Sequence, residues 1–227
     1  MSIALIGTTA YHVVAVADRR AMVMGPDGES KIQGEDCTKI KPVSSFVGVG
    51  VVGFGGIDNI AETVPDGLRT EFREDRIKQW AENVRRLYSS GGKLWPEFYW
   101  YSRHVKPTAY LFGIDRYAKP GIAIVAAQND FTPEVSRAFF LTMNEPAGML
   151  PGRELVSYLT PGKTVLEGWR GPDDEKRAVR DLTRALLGIA ADIHADGVES
   201  VGGDFDIITI GTGGYNVRRF LKKAKAA

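Results

Sequence analysis

The apolar residues of this chain hold one period for a stretch and then change it, and the order of those blocks limits the fold more than any single residue does. Ile3 and Leu5, then Val13, Val14 and Val16, form two β-rich runs on either side of Thr8-Thr9-Ala10-Tyr11, which predicts two strands and a turn. A second pair is expected around the turn chemistry of Gly25-Pro26-Asp27-Gly28, and Ile40 to Val52 is Val-rich with Pro42 and two serines in its middle. From Ile57 to Tyr88 the period lengthens: Ile60, Val64 and Leu68, then Ile77, Trp80 and Val84, mark one or two amphipathic helices interrupted at Pro65-Asp66-Gly67. Thr108 to Gly113, Gly121 to Ala127 and Arg137 to Thr142 predict a strand meander, and Leu155 to Leu159 a short helical piece. Asp173 to Ala195 is the clearest helix, with Leu182, Leu186, Ile189 and Ile193 on one face, and Phe205 to Gly211 with Tyr215 to Phe220 predict a closing hairpin. Strand runs and helix runs segregated in this way suit two antiparallel sheets face to face with helices outside, in one domain over residues 1–227.

Composition removes several functions. With 29 Lys and Arg against 28 Asp and Glu, the net charge of +1 gives no footprint for nucleic acid or for anionic lipid. A lone Cys37 makes neither an internal disulfide nor a cysteine-rich zinc site, and no apolar run approaches 18 residues, so no membrane span is expected. Met1 to Gly7 lacks the cationic region and apolar length of a signal peptide, so the expected compartment is the cytoplasm. The small residue Ser2 allows an aminopeptidase to remove Met1, which would leave a hydroxyl and an α-amine on the same residue.

Near the start, Ser2, Asp18 with Arg19 and Arg20, Lys39 and Gly53 come in an order that single residues do not reveal. Glycines through Phe46 to Gly56 suit a buried strand running into a tight, ligand-facing turn. This order and spacing resemble the proteasome β-subunit family of N-terminal nucleophile hydrolases, including bacterial members of the Anbu (ancestral β) type, which are similar in tolerating Ser and in starting without a long propeptide. The matching stretches are Ala17-Asp18-Arg19-Arg20, Thr38-Lys39-Ile40 and Val52-Gly53 leading through Phe54-Gly55-Gly56 into a helix. Asp196 to Gly203 resembles a lengthened form of the family's D-x-x-S-G-G stretch. The resemblance in element order covers nearly the whole chain. It implies an α+β, four-layer αββα sandwich of two antiparallel sheets flanked by helices, a peptide or other amide as substrate, no cofactor or metal, and self-assembly into a ring or open ring. The helix at Ile57 to Tyr88 and the aromatic cluster Trp95, Phe98, Tyr99, Trp100 and Tyr101 would then be assembly surfaces. An ATPase or cap partner is not readable, and Val51 hints at a small apolar specificity pocket.

The chemistry suits these residue types. A serine hydroxyl needs a base, and an N-terminal residue carries one in its α-amine, whose ordinary pKa of roughly 7.7 to 8.0 lies near neutrality. A Lys39 ammonium would disfavour protonation of that amine, and Asp18 would hold the lysine. The Gly53 N–H is the candidate oxyanion donor; the resemblance gives Asp196 and Ser200 the task of orienting the amine. Ser2 would attack the carbonyl, form an ester, and be freed by water. Gly7-Thr8 also copies the family's Gly-Thr cleavage bond, but ten residues from Thr8 to Asp18 leave too little chain for two strands and a turn, so Ser2 is preferred.

The departures support a rival reading. Serine replaces the usual threonine, and Met143 to Gly148 stands where the family has S-x-G-S-G, which fits a catalytically weak or inactive scaffold of the same fold. A further alternative is an unrelated amidase or binding protein sharing only the sandwich. His12, His104 and His194 have no metal spacing and are expected to be structural, Gly211 to Gly214 is expected to be a hairpin turn, Cys37 a small buried hydrophobe, and Lys222, Lys223 and Lys225 a solvated end.

Overall fold

The computed structural model describes residues 3–24, 30–53, 56–94, 107–143, 155–198 and 201–220. The expected aromatic cluster at Trp95 to Tyr101, the turn at 25–29, His104 and the basic end lie outside the described residues. The strands are β1 (Ala4–Thr8), β2 (Val13–Asp18), β3 (Ala21–Met24), β4 (Ser30–Gly34), β5 (Ile40–Pro42), β6 (Val47–Val52), β7 (Thr108–Ile114), β8 (Pro120–Ala126), β9 (Glu134–Ser136), β10 (Leu141–Met143), β11 (Phe205–Gly211) and β12 (Gly214–Phe220). The helices are α1 (Ile57–Glu62), α2 (Asp66–Arg69), α3 (Glu74–Leu94), α4 (Leu155–Glu167) and α5 (Glu175–Ala195).

Two five-stranded antiparallel sheets carry the fold, in the orders β10-β1-β2-β11-β12 and β5-β6-β7-β8-β9, and β3-β4 form a separate hairpin. The period of two along each strand sorts its side chains between two clusters. Ile3, Leu5, Val14, Val16 and Ile207 join Leu182, Leu186 and Ile189 of α5, whereas Ala4, Ile6, Val13, Ala15 and Ile208 join Tyr110, Phe112 and Ile122 of the other sheet. In the same way Val47, Val49 and Val51 of β6 pack with Ile60 of α1 and Ile77, Trp80 and Val84 of α3.

That sorting explains the glycines of β6. Gly48 faces its register partner Phe112, and a Cβ there would lie 2.5 Å from the ring. Gly48 therefore makes room for an aromatic residue of the core and does not open the strand to a ligand. Gly48→Ala should cost about 1–3 kcal/mol through overpacking, read as a lower denaturant midpoint with an unchanged slope. Val51 likewise belongs to the helix-side core, 4% exposed.

Three expectations need correction. The third run of the meander, Arg137 to Thr142, is not one strand. β9 pairs with β8 in one sheet, Phe139 adopts φ 61°, and β10 then pairs with β1 in the other sheet. The crossing is held by Thr8, whose N–H donates to the Phe140 carbonyl at 2.8 Å and whose hydroxyl donates to the Arg137 carbonyl at 2.8 Å. The short helix at Leu155 extends to Glu167 through Pro161, because Tyr158, Leu159 and Leu166 are buried against α5 and β10, so packing outweighs the lost backbone donor. Cys37 is exposed, not buried.

Candidate active site

Asp18 ends β2 at the buried edge between the sheets, 1% exposed, and four donors converge on its carboxylate. Oδ1 accepts the Ile3 N–H at 2.8 Å and the Lys39 ammonium at 2.7 Å; Oδ2 accepts the N–H groups of Arg20 at 3.2 Å and Gly202 at 3.4 Å. Lys39 immediately precedes β5, is 4% exposed, and also donates from Nζ to the Arg20 carbonyl at 2.6 Å. Its own carbonyl accepts the Val51 N–H at 2.9 Å, which fixes the segment against β6. Burial disfavours both charges, raising Asp18 and lowering Lys39 from their ordinary values, while the attraction between the two opposes each shift. A lysine so placed is a buried electrostatic neighbour of Asp18 and not a surface cation.

Of the residues expected to act together, the structure joins Asp18 and Lys39 directly, and brings the 202–203 glycines to them through the Gly202 N–H. Gly202 has a steric reason as well: a Cβ there would meet the Arg20 guanidinium carbon at 2.6 Å. Gly53 follows β6 with φ 90°, a left-handed turn that favours glycine. Asp196 caps the C-terminal end of α5, and its Oδ2 accepts the Tyr158 hydroxyl at 2.6 Å. Ser2 and Ser200 lie outside the described residues.

Sequence reasoning passed over the partners of the two arginines. Arg20 holds Glu35 through Nη2 at 2.5 Å. Arg19, 4% exposed, donates to Asp206 at 2.5 Å, to the Thr38 hydroxyl at 3.3 Å, and to both the carboxylate and the carbonyl of Asp36. The Arg19 guanidinium holds the Asp36 carboxyl below the usual range. The run Asp18-Arg19-Arg20 carried the only sequence signal, and it did not say which acid each base would find.

At the opposite end of β1 and β2, Glu175 at the start of α5 forms a second buried polar centre. Its Oε1 accepts His12 Nδ1 at 2.8 Å, the Tyr11 N–H at 3.1 Å and the Thr9 hydroxyl; its Oε2 accepts the Trp169 indole at 2.9 Å. His12 is thus held by Glu175, and the His194 Nδ1 lies 2.7 Å from the Val201 carbonyl.

No family model matches the chain, and no curated protein matches it in sequence. Among solved structures, the Gly-1 mutant of Anbu from Hyphomicrobium sp. strain MC1 is similar over 99% of this chain and 89% of that one, with a TM-score of 0.59 and 11% identity. At that identity the likeness is one of fold: the chain is an α+β protein of antiparallel sheets and helices that shares its architecture with an Anbu protein.

Proposed function

We propose that the chain is a proteasome-like N-terminal-nucleophile hydrolase, a four-layer αββα sandwich in which Ser2, freed by removal of Met1, attacks an amide carbonyl with its own α-amine as base. The observation that carries this reading is the Asp18 carboxylate, which takes the Ile3 N–H and the Lys39 ammonium on the same oxygen. Residue 2 is one peptide unit from Ile3, about 3.8 Å from Cα to Cα, and the reading requires its amine to lie beside the lysine that shares the Asp18 oxygen with the Ile3 N–H. The Lys39 charge would disfavour protonation of the amine, the Gly53 N–H would receive the oxyanion, and Asp196 with Ser200 would orient the amine. The substrate is a peptide or other amide, and the working form is a homo-oligomer, a ring or open ring. The placement of Thr8 speaks for Ser2 as the first residue, since cutting before Thr8 would remove most of a fully buried strand paired on both sides.

The inactive-scaffold reading draws on the Asp196 carboxylate, which already accepts the Tyr158 hydroxyl. A peptide epoxyketone separates the two, because its adduct requires a hydroxyl and a free amine on one residue. Intact mass should show loss of Met1 and one adduct mapped to Ser2, absent in Ser2→Ala. Loss of Met1 with neither adduct nor peptide turnover would support the scaffold; a retained Met1 would sink the Ser2 mechanism.

A further inference from the structure

The groups on the Asp18 carboxylate, the Ile3 N–H apart, arrive on segments that Arg19 also holds. Arg20 is its neighbour. Lys39 follows Asp36, Cys37 and Thr38, of which Asp36 and Thr38 accept from the Arg19 guanidinium and Cys37 donates its N–H to the Arg19 carbonyl at 2.9 Å. Gly202 precedes Asp204, whose carbonyl accepts the Arg19 N–H at 3.0 Å, and Asp206, which takes Nη1. No regular element spans residues 35–39, so the approach of Lys39 to Asp18 depends on what clamps that segment.

We propose that Arg19 is a positioning residue that sets Lys39 Nζ against Asp18 by tying the end of β2, the 36–38 segment and the start of β11 into one joint. Its catalytic consequence rests on the reading of Ser2 as nucleophile. A planar guanidinium reaches Asp206 and Thr38 from one nitrogen and Asp36 from the other at fixed angles, which the single ammonium of lysine cannot reproduce. The network is a poor device for stability alone. Buried ion clusters often stabilise no more than apolar residues of the same volume, and Arg19 Nε is buried with no hydrogen-bond partner among the described residues. Geometry is what the arginine supplies.

The test uses the full chain with lysine side chains isotopically labelled, and follows the Lys39 titration by NMR beside the pH profile of epoxyketone labelling at Ser2. Lys39 Nζ donates to the Asp18 carboxylate and the Arg20 carbonyl, and neither residue is altered. The variants are Arg19→Lys, Thr38→Val and Asp36→Asn; Asp36 has a side chain 86% exposed, so its amide should fold normally. Arg19→Lys should move the Lys39 midpoint and slow labelling about tenfold or more, since misplacement by an ångström can cost about 10² in rate. Thr38→Val and Asp36→Asn should move both readouts in the same direction by less. A Lys39 midpoint and labelling profile unchanged in the folded variants would overturn the proposal; should Arg19→Lys fail to fold, unchanged values in both milder variants would do so. A wild-type chain that takes no adduct but whose Lys39 midpoint moves in the variants would remove the Ser2 reading and leave Arg19 as the residue that positions the pair.

Discussion

Lys39→Met is expected to slow epoxyketone labelling of Ser2 by about 10² to 10⁴, the usual worth of general-base assistance, because the amine would lose the charge that keeps it unprotonated. The same change should lower unfolding free energy at neutral pH by about 3–5 kcal/mol, since it strands the buried Asp18 carboxylate. Three backbone N–H groups would still hold Asp18, so the geometry around Ile3 should survive. The sign of the pH dependence separates this from a simple packing loss. Asp18 is already raised by burial, so the folded state binds its proton more readily than the unfolded chain does, and acidification favours the folded state through this group. Without Lys39 the carboxyl would rise further, and the deficit of the variant should shrink as pH falls. Asp18→Asn added to Lys39→Met should recover much of the stability and none of the labelling. Denaturant midpoints at several pH values, read beside labelling rates, check both halves; a deficit that grows in acid would contradict the pairing.

Glu175→Ala should be the next most damaging change, at about 2–4 kcal/mol, because it strands the Trp169 indole and the Tyr11 N–H, removes the main acceptor of the Thr9 hydroxyl and leaves the His12 ring without its acceptor. The centre pins the β1–β2 turn to the first turn of α5. Burial works to raise the Glu175 carboxyl, but the bonds from His12, Thr9, Trp169 and Tyr11 outweigh it and hold the carboxyl below its ordinary value near 4.5. Its contribution is therefore full above that value and fades as pH falls through the lower folded-state value. The wild-type chain should lose this share of stability in acid, and Glu175→Ala should show a flatter profile there. Equal acid sensitivity in both would mean that the carboxylate bonds are not what holds the turn.

The blocks of apolar period were enough to foresee most strands, the long helices and the antiparallel sheets, because a period of two or of nearly four follows from which side of an element is buried. The exchange of the chain between sheets at Phe139 was not legible. It depends on a left-handed residue that is not glycine and on the Thr8 hydroxyl, neither of which leaves a mark in hydropathy. The extension of α4 past Pro161 was hidden for a related reason, since tertiary burial of Leu166 decides it. In the candidate site, the order and spacing of Asp18 and Lys39 singled them out, and the resemblance of Asp196 to Gly203 pointed to the glycines at 202 and 203. The Arg19 and Glu175 centres were not, because each gathers acids and donors separated by well over a hundred residues in sequence, Arg19 with Asp206 and Glu175 with Thr9.

The two sheets differ in how they draw on the chain. One is a meander in strict sequence order from β5 to β9, each strand beside its predecessor. The other interleaves the two ends, with Leu5 opposite Met143 and Val16 opposite Ile207. Pairings so distant in sequence slow folding, since loop closure must precede the contacts that reward it, and strand-rich chains dominated by such contacts fold in about milliseconds to seconds. During synthesis the meander can assemble while β1 and β2 still lack β10 and β11. The first strand thus waits for β10 before it is paired on both sides, and the trimming of Met1 proposed above would have that interval in which to act.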